Sequence, residues 1–198
     1  MSDTALTPRA RRRAETTAEI LDAAWKLARR DGLASISMRD LGKEVGLRAQ
    51  SLYAYFDSKA ALYDAMFRQG HEQLAEISRD WPLDLSDHAD ARGAMKRFNQ
   101  AFVSFCVGDP PRYQLLFQRV LPDWVPSAES YILAIQQLEQ LRAALASLGG
   151  DDRVVDLWTA MITGLVSQQL SNDPGGDRWS RQVDTAVDLF FDQFGLDP

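Results

Sequence analysis

The chain has 198 residues, of which 45% are hydrophobic and 25% charged, with a formal net charge of −6. These values are ordinary for a soluble globular protein with one domain or two small ones. The single cysteine excludes an intrachain disulfide, no apolar run approaches the roughly 18 residues of a membrane span, and no signal peptide is evident, so we expect a cytoplasmic protein.

The charge is distributed unevenly along the chain. Residues 1–70 contain 12 Lys and Arg against 9 Asp and Glu, whereas residues 71–198 contain 10 against 19. A basic N-terminal part on an acidic remainder can direct one end of a molecule towards phosphate groups. The asymmetry gives mild support to nucleic-acid binding by the N-terminal part.

A basic cluster, Arg9 and Arg11–Arg13, leads into the first predicted helix. Such a cluster is either a solvated run of charge or an arm that contacts phosphate or the minor groove. The helix should end near Asp31, because Gly32 is a typical residue after a helix C-terminus.

Residues 37–59 predict two short helices that cross. Leu41 and Val45 lie four residues apart and therefore share one face of the first helix. Gly42 is small where a second helix would pass closely, and Gly46 suits the left-handed backbone of a tight turn. This pattern is typical of a helix-turn-helix.

In DNA-binding proteins of this shape, the second helix enters the major groove with its N-terminal residues at the base edges. The residues predicted to lie there, or one turn further on, are Arg48, Ala49, Gln50, Ser51 and Tyr53. Arginine can bind guanine and glutamine can bind adenine, each through two hydrogen bonds. We therefore expect Arg48 and Gln50 to read bases, unless they are ordinary exposed side chains.

The run LYAYFDSK, residues 52–59, follows the helix-turn-helix directly and resembles the DNA-binding domain of the tetracycline-repressor (TetR) family. The resemblance covers about residues 14–70. It implies phosphate contacts by Tyr53, Tyr55 and Lys59. It also implies assistance from Ser37 and a DNA contact by Arg39. One departure from the family pattern is Arg48, which stands where Ser or Thr is common.

The remainder of the chain predicts six further helices, and no strand alternation or repeat is evident. The first of the six begins near Ser58, directly behind the second helix of the motif, and could carry a shift between the two parts. The segment from Asp152 to Asn172 is apolar nearly all round in its middle, which indicates burial on several sides. The chain is therefore expected to be all-α, with about nine helices. A three-helix head spans residues 9–57 and a C-terminal helical bundle spans residues 58–198.

The resemblance implies a cavity for a small effector within the C-terminal bundle. The candidate lining residues are the large apolar side chains of that bundle: Phe98, Phe102, Phe105, Tyr113, Phe117, Trp124, Trp158 and Met161. Each of them taken alone is more typical of an ordinary core. Candidate polar anchors are Tyr113, Gln114, Gln118 and Thr163. A neutral or cationic hydrophobic effector is favoured over a small anion, because the bundle is acidic and its interior aromatic.

We expect a homodimer through the last two helices, because symmetric DNA readers double their site about a two-fold axis. The residues predicted to form this contact are Leu165, Gln168, Val183, Val187, Phe190 and Phe191.

The leading hypothesis is a ligand-responsive DNA-binding regulator, in this family most often a repressor on a palindromic operator. Two alternatives remain: a helical-bundle enzyme and an architectural DNA-binding protein without a ligand. Against an enzyme, the two histidines, His71 and His88, are far apart, and neither paired cysteines nor a phosphate-binding loop occurs. We expect no catalytic residue, metal or cofactor.

Overall fold

The computed structural model describes residues 7–80, 83, 85 and 90–196. Within these residues the helices are α1 (Pro8–Asp31), α2 (Met38–Glu44), α3 (Ala49–Leu52), α4 (Lys59–Asp80), α5 (Ala91–Val107), α6 (Pro110–Phe117), α7 (Ala128–Ser147), α8 (Asp152–Asn172) and α9 (Val183–Phe194). Short 3₁₀ turns occupy Leu33–Ser35 and Ser180–Gln182. The described ranges contain no strand, and the prediction of an all-α chain with about nine helices is confirmed. None of these helices is both long and apolar enough to cross a bilayer.

The ends of α1 are fixed by local chemistry. The Thr7 hydroxyl accepts a hydrogen bond from the Ala10 N–H, and Pro8 occupies the first helical position, where its missing N–H is no loss. At the other end, Gly32 adopts a φ of +86° and its N–H donates to the Ala28 carbonyl. The predicted end of the first helix is thereby confirmed.

The corner between α2 and α3 depends on two glycines. Gly46 has a φ of +68°, and its N–H donates to the Lys43 carbonyl, while the Leu47 N–H donates to the Gly42 carbonyl at 2.8 Å. This pair of bonds is the Schellman arrangement that closes a helix C-terminus. A β-carbon on Gly42 would lie 2.6 Å from the Leu47 carbonyl oxygen, so the close approach needs glycine there. Both predicted glycine roles agree with this geometry.

Helix α4 joins the N-terminal helices to the C-terminal bundle. It packs against α1 on one side and against α5, α6 and α7 on the other, and α8 and α9 complete the bundle around α5. The buried apolar side chains of the described residues form one continuous core across both parts. A displacement within the bundle can therefore reach the corner formed by α2 and α3.

An ion pair between the exposed Arg29 and the buried Asp109 provides a second link between the two parts. The Arg29 guanidinium near the end of α1 donates twice to one Asp109 oxygen, at 2.6 and 3.1 Å. Asp109 is 4% exposed and precedes the first residue of α6. The second oxygen of this carboxylate has no hydrogen-bond partner among the described residues. The position of α6 is thus tied to α1.

Candidate nucleic-acid interface and ligand cavity

One face of helix α3 packs against the core, and the opposite face is exposed to solvent. Leu52 is completely buried and Ala49 is half-buried against the α2 corner. The exposed side chains along α3 and the turn after it are Arg48, Gln50, Ser51 and Tyr53. Because Arg48 precedes the first helical residue and makes no capping hydrogen bond, its long side chain can extend from the surface. The helix therefore presents cationic, amide and hydroxyl groups side by side.

Two of the predicted contact residues lie on α2 or at its start. Arg39 is exposed. Ser37 is half-buried, and its hydroxyl accepts from the Asp40 N–H at 3.1 Å and donates to the Asp40 carboxylate at 2.7 Å. The hydrogen bond from Lys43 and, after it, the one from the Ser37 hydroxyl lower the pKa of the Asp40 carboxyl. Ser37 is thus the cap that positions α2, and a phosphate contact by this residue stays a prediction.

The N-terminal basic cluster is helical and does not form an extended arm. Residues Arg9 and Arg11–Arg13 occupy the first turns of α1. The Arg13 guanidinium donates to the Ala54 carbonyl at 2.7 Å and lies 5.0 Å from the centre of the half-buried Tyr55 ring. This contact braces the end of α3 against α1. The cluster therefore adds positive charge beside α3.

Lys59, at the start of α4, also makes a structural contact. Its Nζ donates to the Ala34 carbonyl at 2.9 Å and lies 5.4 Å from the centre of the Tyr63 ring. Partial burial lowers the pKa of Lys59. An ammonium group has three hydrogens to donate, so this contact is compatible with a phosphate contact, which stays a prediction.

A cavity of about 720 Å³ lies among α4–α8. It is bordered by four of the eight predicted side chains, Phe98, Phe102, Phe117 and Trp158, and by one predicted anchor, Thr163. Residues of α7 supply much of the rest of its wall, and several of them are exposed. The cavity therefore opens beside α7.

Two of the remaining predicted lining residues, Phe105 and Tyr113, make contacts with other parts of α6 and α8. The guanidinium of Arg112 stacks on the Phe105 ring at 3.7 Å. The Tyr113 hydroxyl donates to the Thr163 carbonyl at 3.2 Å, and its ring is buried. Neither side chain contributes to the wall of this cavity, which corrects the prediction for Phe105 and Tyr113.

The other two predicted lining residues, Trp124 and Met161, also lie outside the cavity wall. Trp124 packs its ring against Tyr63 and Phe67 of α4, each at 5.9 Å between centroids, and donates to the Ala60 carbonyl. Met161 is half-buried on another face of α8. Neither residue borders this cavity, and neither do the proposed anchors Gln114 and Gln118. Apolar spacing indicates burial, but it does not distinguish a cavity wall from a packed core.

Sequence reasoning missed a polar pair in the wall. His71 of α4 is 2% exposed, and its Nδ1 lies 2.7 Å from the Gln137 Oε1 of α7. The Gln137 Nε2 in turn donates to the His71 carbonyl at 2.8 Å. Burial lowers the pKa of His71, although the Gln137 hydrogen bond opposes this change. The four-residue spacing of His71 from buried Phe67 was the signal in the sequence that could have placed it inside.

No three His, Cys, Asp or Glu side chains of the described residues are grouped as a metal site would require. The other histidine considered from the sequence, His88, lies outside the described residues. Cys106 is buried, and burial raises the pKa of its thiol.

The predicted dimer contact needs correction for α9. Val183, Val187, Phe190 and Phe191 are all buried within the protomer, where Phe190 packs on Trp158 at 4.8 Å between ring centroids. These side chains are therefore not available to a second subunit. Of the two predicted residues on α8, Gln168 is exposed and Leu165 is half-buried.

Residues 20–66 match the family described as bacterial regulatory proteins, tetR family. Two HTH-type transcriptional regulators of Mycobacterium tuberculosis, MT1294 and Rv1255c, are each 36% identical to this chain over 77 residues. These matches cover 38% of this chain and 37% of either relative, so the chain matches little more than a third of the length of these curated proteins.

Solved structures match over much more of the chain. The TetR-family regulator PfmR of Thermus thermophilus has a TM-score of 0.66 at 22% identity, and the match covers 86% of this chain and 96% of that protein. FadR of Bacillus subtilis, solved in complex with stearoyl-CoA, has a TM-score of 0.69 at 18% identity, with 87% and 96% covered. At these identities the likeness shows a shared fold.

Proposed function

Because the chain belongs to the tetR family of bacterial regulatory proteins, we propose that it is a transcriptional regulator that binds a palindromic operator as a homodimer. A small hydrophobic effector releases it, so that it acts as a repressor. The observation that carries the proposal is the uncovered face of α3 in a head whose sequence matches that family.

The exposed groups of α3 suit the major groove. Arg48 and Gln50 can each form two hydrogen bonds to a base edge, and Ser51 and Tyr53 add donors for bases or phosphates. The exposed side chains of Arg9, Arg11 and Arg12 at the start of α1 supply further charge for the DNA backbone. The head thus combines base-reading groups with groups that bind phosphate.

Replacement of Arg48 by alanine tests this assignment. We expect it to weaken specific DNA binding by roughly 1–3 kcal/mol and to relax the preference at one base pair, because a bidentate base contact is lost. The measurement is a binding profile over all single-base variants of a selected duplex. Arg153→Ala is the matched control. Arg153 is exposed in the first turn of α8. This turn follows the end of α7 that lies away from the head. A base profile unchanged by Arg48→Ala would show that α3 does not read DNA.

The cavity supports the ligand response. Its volume lies within the range of small-molecule sites, and aromatic and aliphatic side chains form most of its wall. FadR, which shares this fold, was solved with stearoyl-CoA, a ligand with a long apolar chain. A neutral hydrophobic effector fits the wall of the present cavity.

The same cavity borders the helices that lead to the head. Leu116 and Phe117 of α6 form part of its wall, and α6 begins at the Asp109 carboxylate that holds Arg29 of α1. A ligand that displaces α6 or α4 therefore shifts α1 and the α2–α3 corner. Because such coupling is reciprocal, operator DNA must weaken ligand binding by the factor by which the ligand weakens DNA binding.

The homodimer is proposed to use the exposed face of α8 together with α9. Leu157, Met161, Leu165 and Gln168 follow one another at helical spacing, and all are at least partly exposed. On α9, Leu189 is 64% exposed and extends this surface. In this proposal, residues 9–57 form the DNA-binding domain. Residues 58–198 form the domain that binds the ligand and forms the dimer.

The two alternatives are weaker. The family consists of regulators and not enzymes, which sets aside the helical-bundle enzyme. A purely architectural DNA-binding protein needs no cavity, and the bundle has one of about 720 Å³. A cytoplasmic location follows from the proposed regulation of genes.

A further inference from the structure

The hydrogen-bond roles of the His71 ring are set by Gln137. The Gln137 Nε2 donates to the His71 carbonyl, which fixes the orientation of the amide and leaves its oxygen facing the ring. That oxygen can only accept, so the His71 Nδ1 at 2.7 Å must carry a proton. Burial lowers the pKa of His71, and the ring is neutral at pH 7. The Nε2 atom is therefore an unprotonated acceptor.

This acceptor is left without a partner. His71 Nε2 is buried and has no hydrogen-bond partner among the described residues, and His71 borders the cavity. A buried polar atom without a partner costs free energy, and in native proteins such atoms are usually satisfied by water or a ligand. A residue of the mostly apolar cavity wall thus carries an unsatisfied acceptor.

Hydroxyl groups in the cavity wall also have acceptor character. Thr159 donates its proton to the Asp156 carbonyl at 2.9 Å, and Thr163 donates to the Thr159 carbonyl at 2.6 Å. Ser78 likewise points its proton at the Leu74 carbonyl, at 3.4 Å. A hydroxyl whose single proton is used in this way can only accept from a ligand. The inner wall therefore offers acceptors.

Fixed charge is scarce in the wall. Among the described residues that border the cavity, Arg79 alone has a permanent charge, and it is exposed and paired with Glu76 at 3.4 Å. A buried cationic ligand would have no carboxylate to balance its charge there, which is costly. A buried anion would meet the lone pair of His71 Nε2.

We propose that the cavity binds a neutral, largely apolar molecule carrying a hydroxyl or N–H group that donates to His71 Nε2. This inference deepens the ligand response proposed above and rests on it. The Phe117 ring, which borders the cavity and lies 5.9 Å from the His71 ring between centroids, favours a ligand that is flat next to its donor group. A phenol-like group meets both requirements.

The test uses two probes, 2-naphthol and its methyl ether 2-methoxynaphthalene, in which a methyl group replaces the donor proton. Calorimetric titration of the full chain should give a Kd about fivefold or more lower for 2-naphthol, the factor expected of one net hydrogen bond. His71→Phe should abolish this preference, since it keeps a ring and removes the acceptor. Glu72→Phe, which places the same ring at the next, exposed position of α4 outside the cavity wall, should preserve it.

A second readout does not depend on the folding of a variant. The chain has two histidines, so a long-range ¹H–¹⁵N spectrum of its imidazole rings is simple. His71 should show a protonated Nδ1 and an unprotonated Nε2. Addition of 2-naphthol, but not of its ether, should move the Nε2 signal towards the protonated range.

The outcomes separate this inference from the proposed function. Equal affinity for both probes, no binding of either, or a His71 Nε2 signal unmoved by 2-naphthol overturns the donor preference. A retained preference in His71→Phe does the same. Preferential binding of 2-naphthol without any change in DNA affinity supports the donor preference and counts against the proposed ligand response.

Discussion

Replacement of Gly42 by valine is expected to lower the free energy of unfolding by roughly 1–3 kcal/mol, because the new side chain has no room. Its β-carbon would lie 2.6 Å from the Leu47 carbonyl oxygen and close to the backbone of Ala49. Backbone atoms cannot rotate away as a flexible side chain does, so the α2–α3 corner must open. Since α3 starts at this corner, DNA affinity should fall at least about tenfold, which corresponds to 1.4 kcal/mol.

Lys43→Val is the matched control for this substitution. It places the same side chain on the exposed face of α2 and removes only a surface ion pair with Asp40. Such a pair contributes about 0–1 kcal/mol. Urea unfolding and DNA titration of both variants give the comparison. A Gly42→Val protein as stable as Lys43→Val, with DNA binding unchanged, would contradict the described corner.

Arg29→Ala is expected to destabilise the chain by roughly 1–3 kcal/mol, because it leaves the buried Asp109 carboxylate without its donor. The expected loss of stability is smaller than for a fully buried ion pair, since the Arg29 side chain is 53% exposed and water can replace part of its hydrogen bonding. The same substitution removes the link from α6 to α1. The factor by which ligand and DNA weaken each other should therefore decrease.

Arg30→Ala serves as the control here. Arg30 is the next residue of α1 and pairs with exposed Asp31 at the surface, so its loss should cost less than about 1 kcal/mol. Adding Asp109→Asn to Arg29→Ala should restore part of the stability, because the unpaired buried carboxylate is then replaced by a neutral amide. Equal destabilisation by Arg29→Ala and Arg30→Ala would contradict the proposed role of the buried link.

The features that follow from local rules could be predicted from the sequence. Gly42 and Gly46 identify a helix corner because size and backbone freedom act within a few residues. The end of α1 before Gly32 depends on an equally local bond. For the same reason the head was recognisable, and the match to residues 20–66 agrees with it.

The parts that depend on distant contacts could not be predicted. The four apolar residues of α9 from Val183 to Phe191 were predicted to form a dimer contact, because their pattern indicates a covered face but does not say whether a second subunit or α5 and α8 covers it. Trp124 was assigned to the cavity, although it packs on α4, for the same reason. His71 and Gln137 are 66 residues apart in the chain, and nothing in the sequence indicates their pairing.

Selection of duplexes from a random pool by the purified protein tests whether two copies of this chain read a symmetric operator. We expect enrichment of a two-fold symmetric sequence whose half-sites lie about one helical turn apart, roughly 34 Å, as two copies of α3 require. We also expect two protein chains per duplex in the complex. Enrichment of no sequence above the input pool, or binding of a single chain to an asymmetric site, would contradict a dimeric operator-binding regulator.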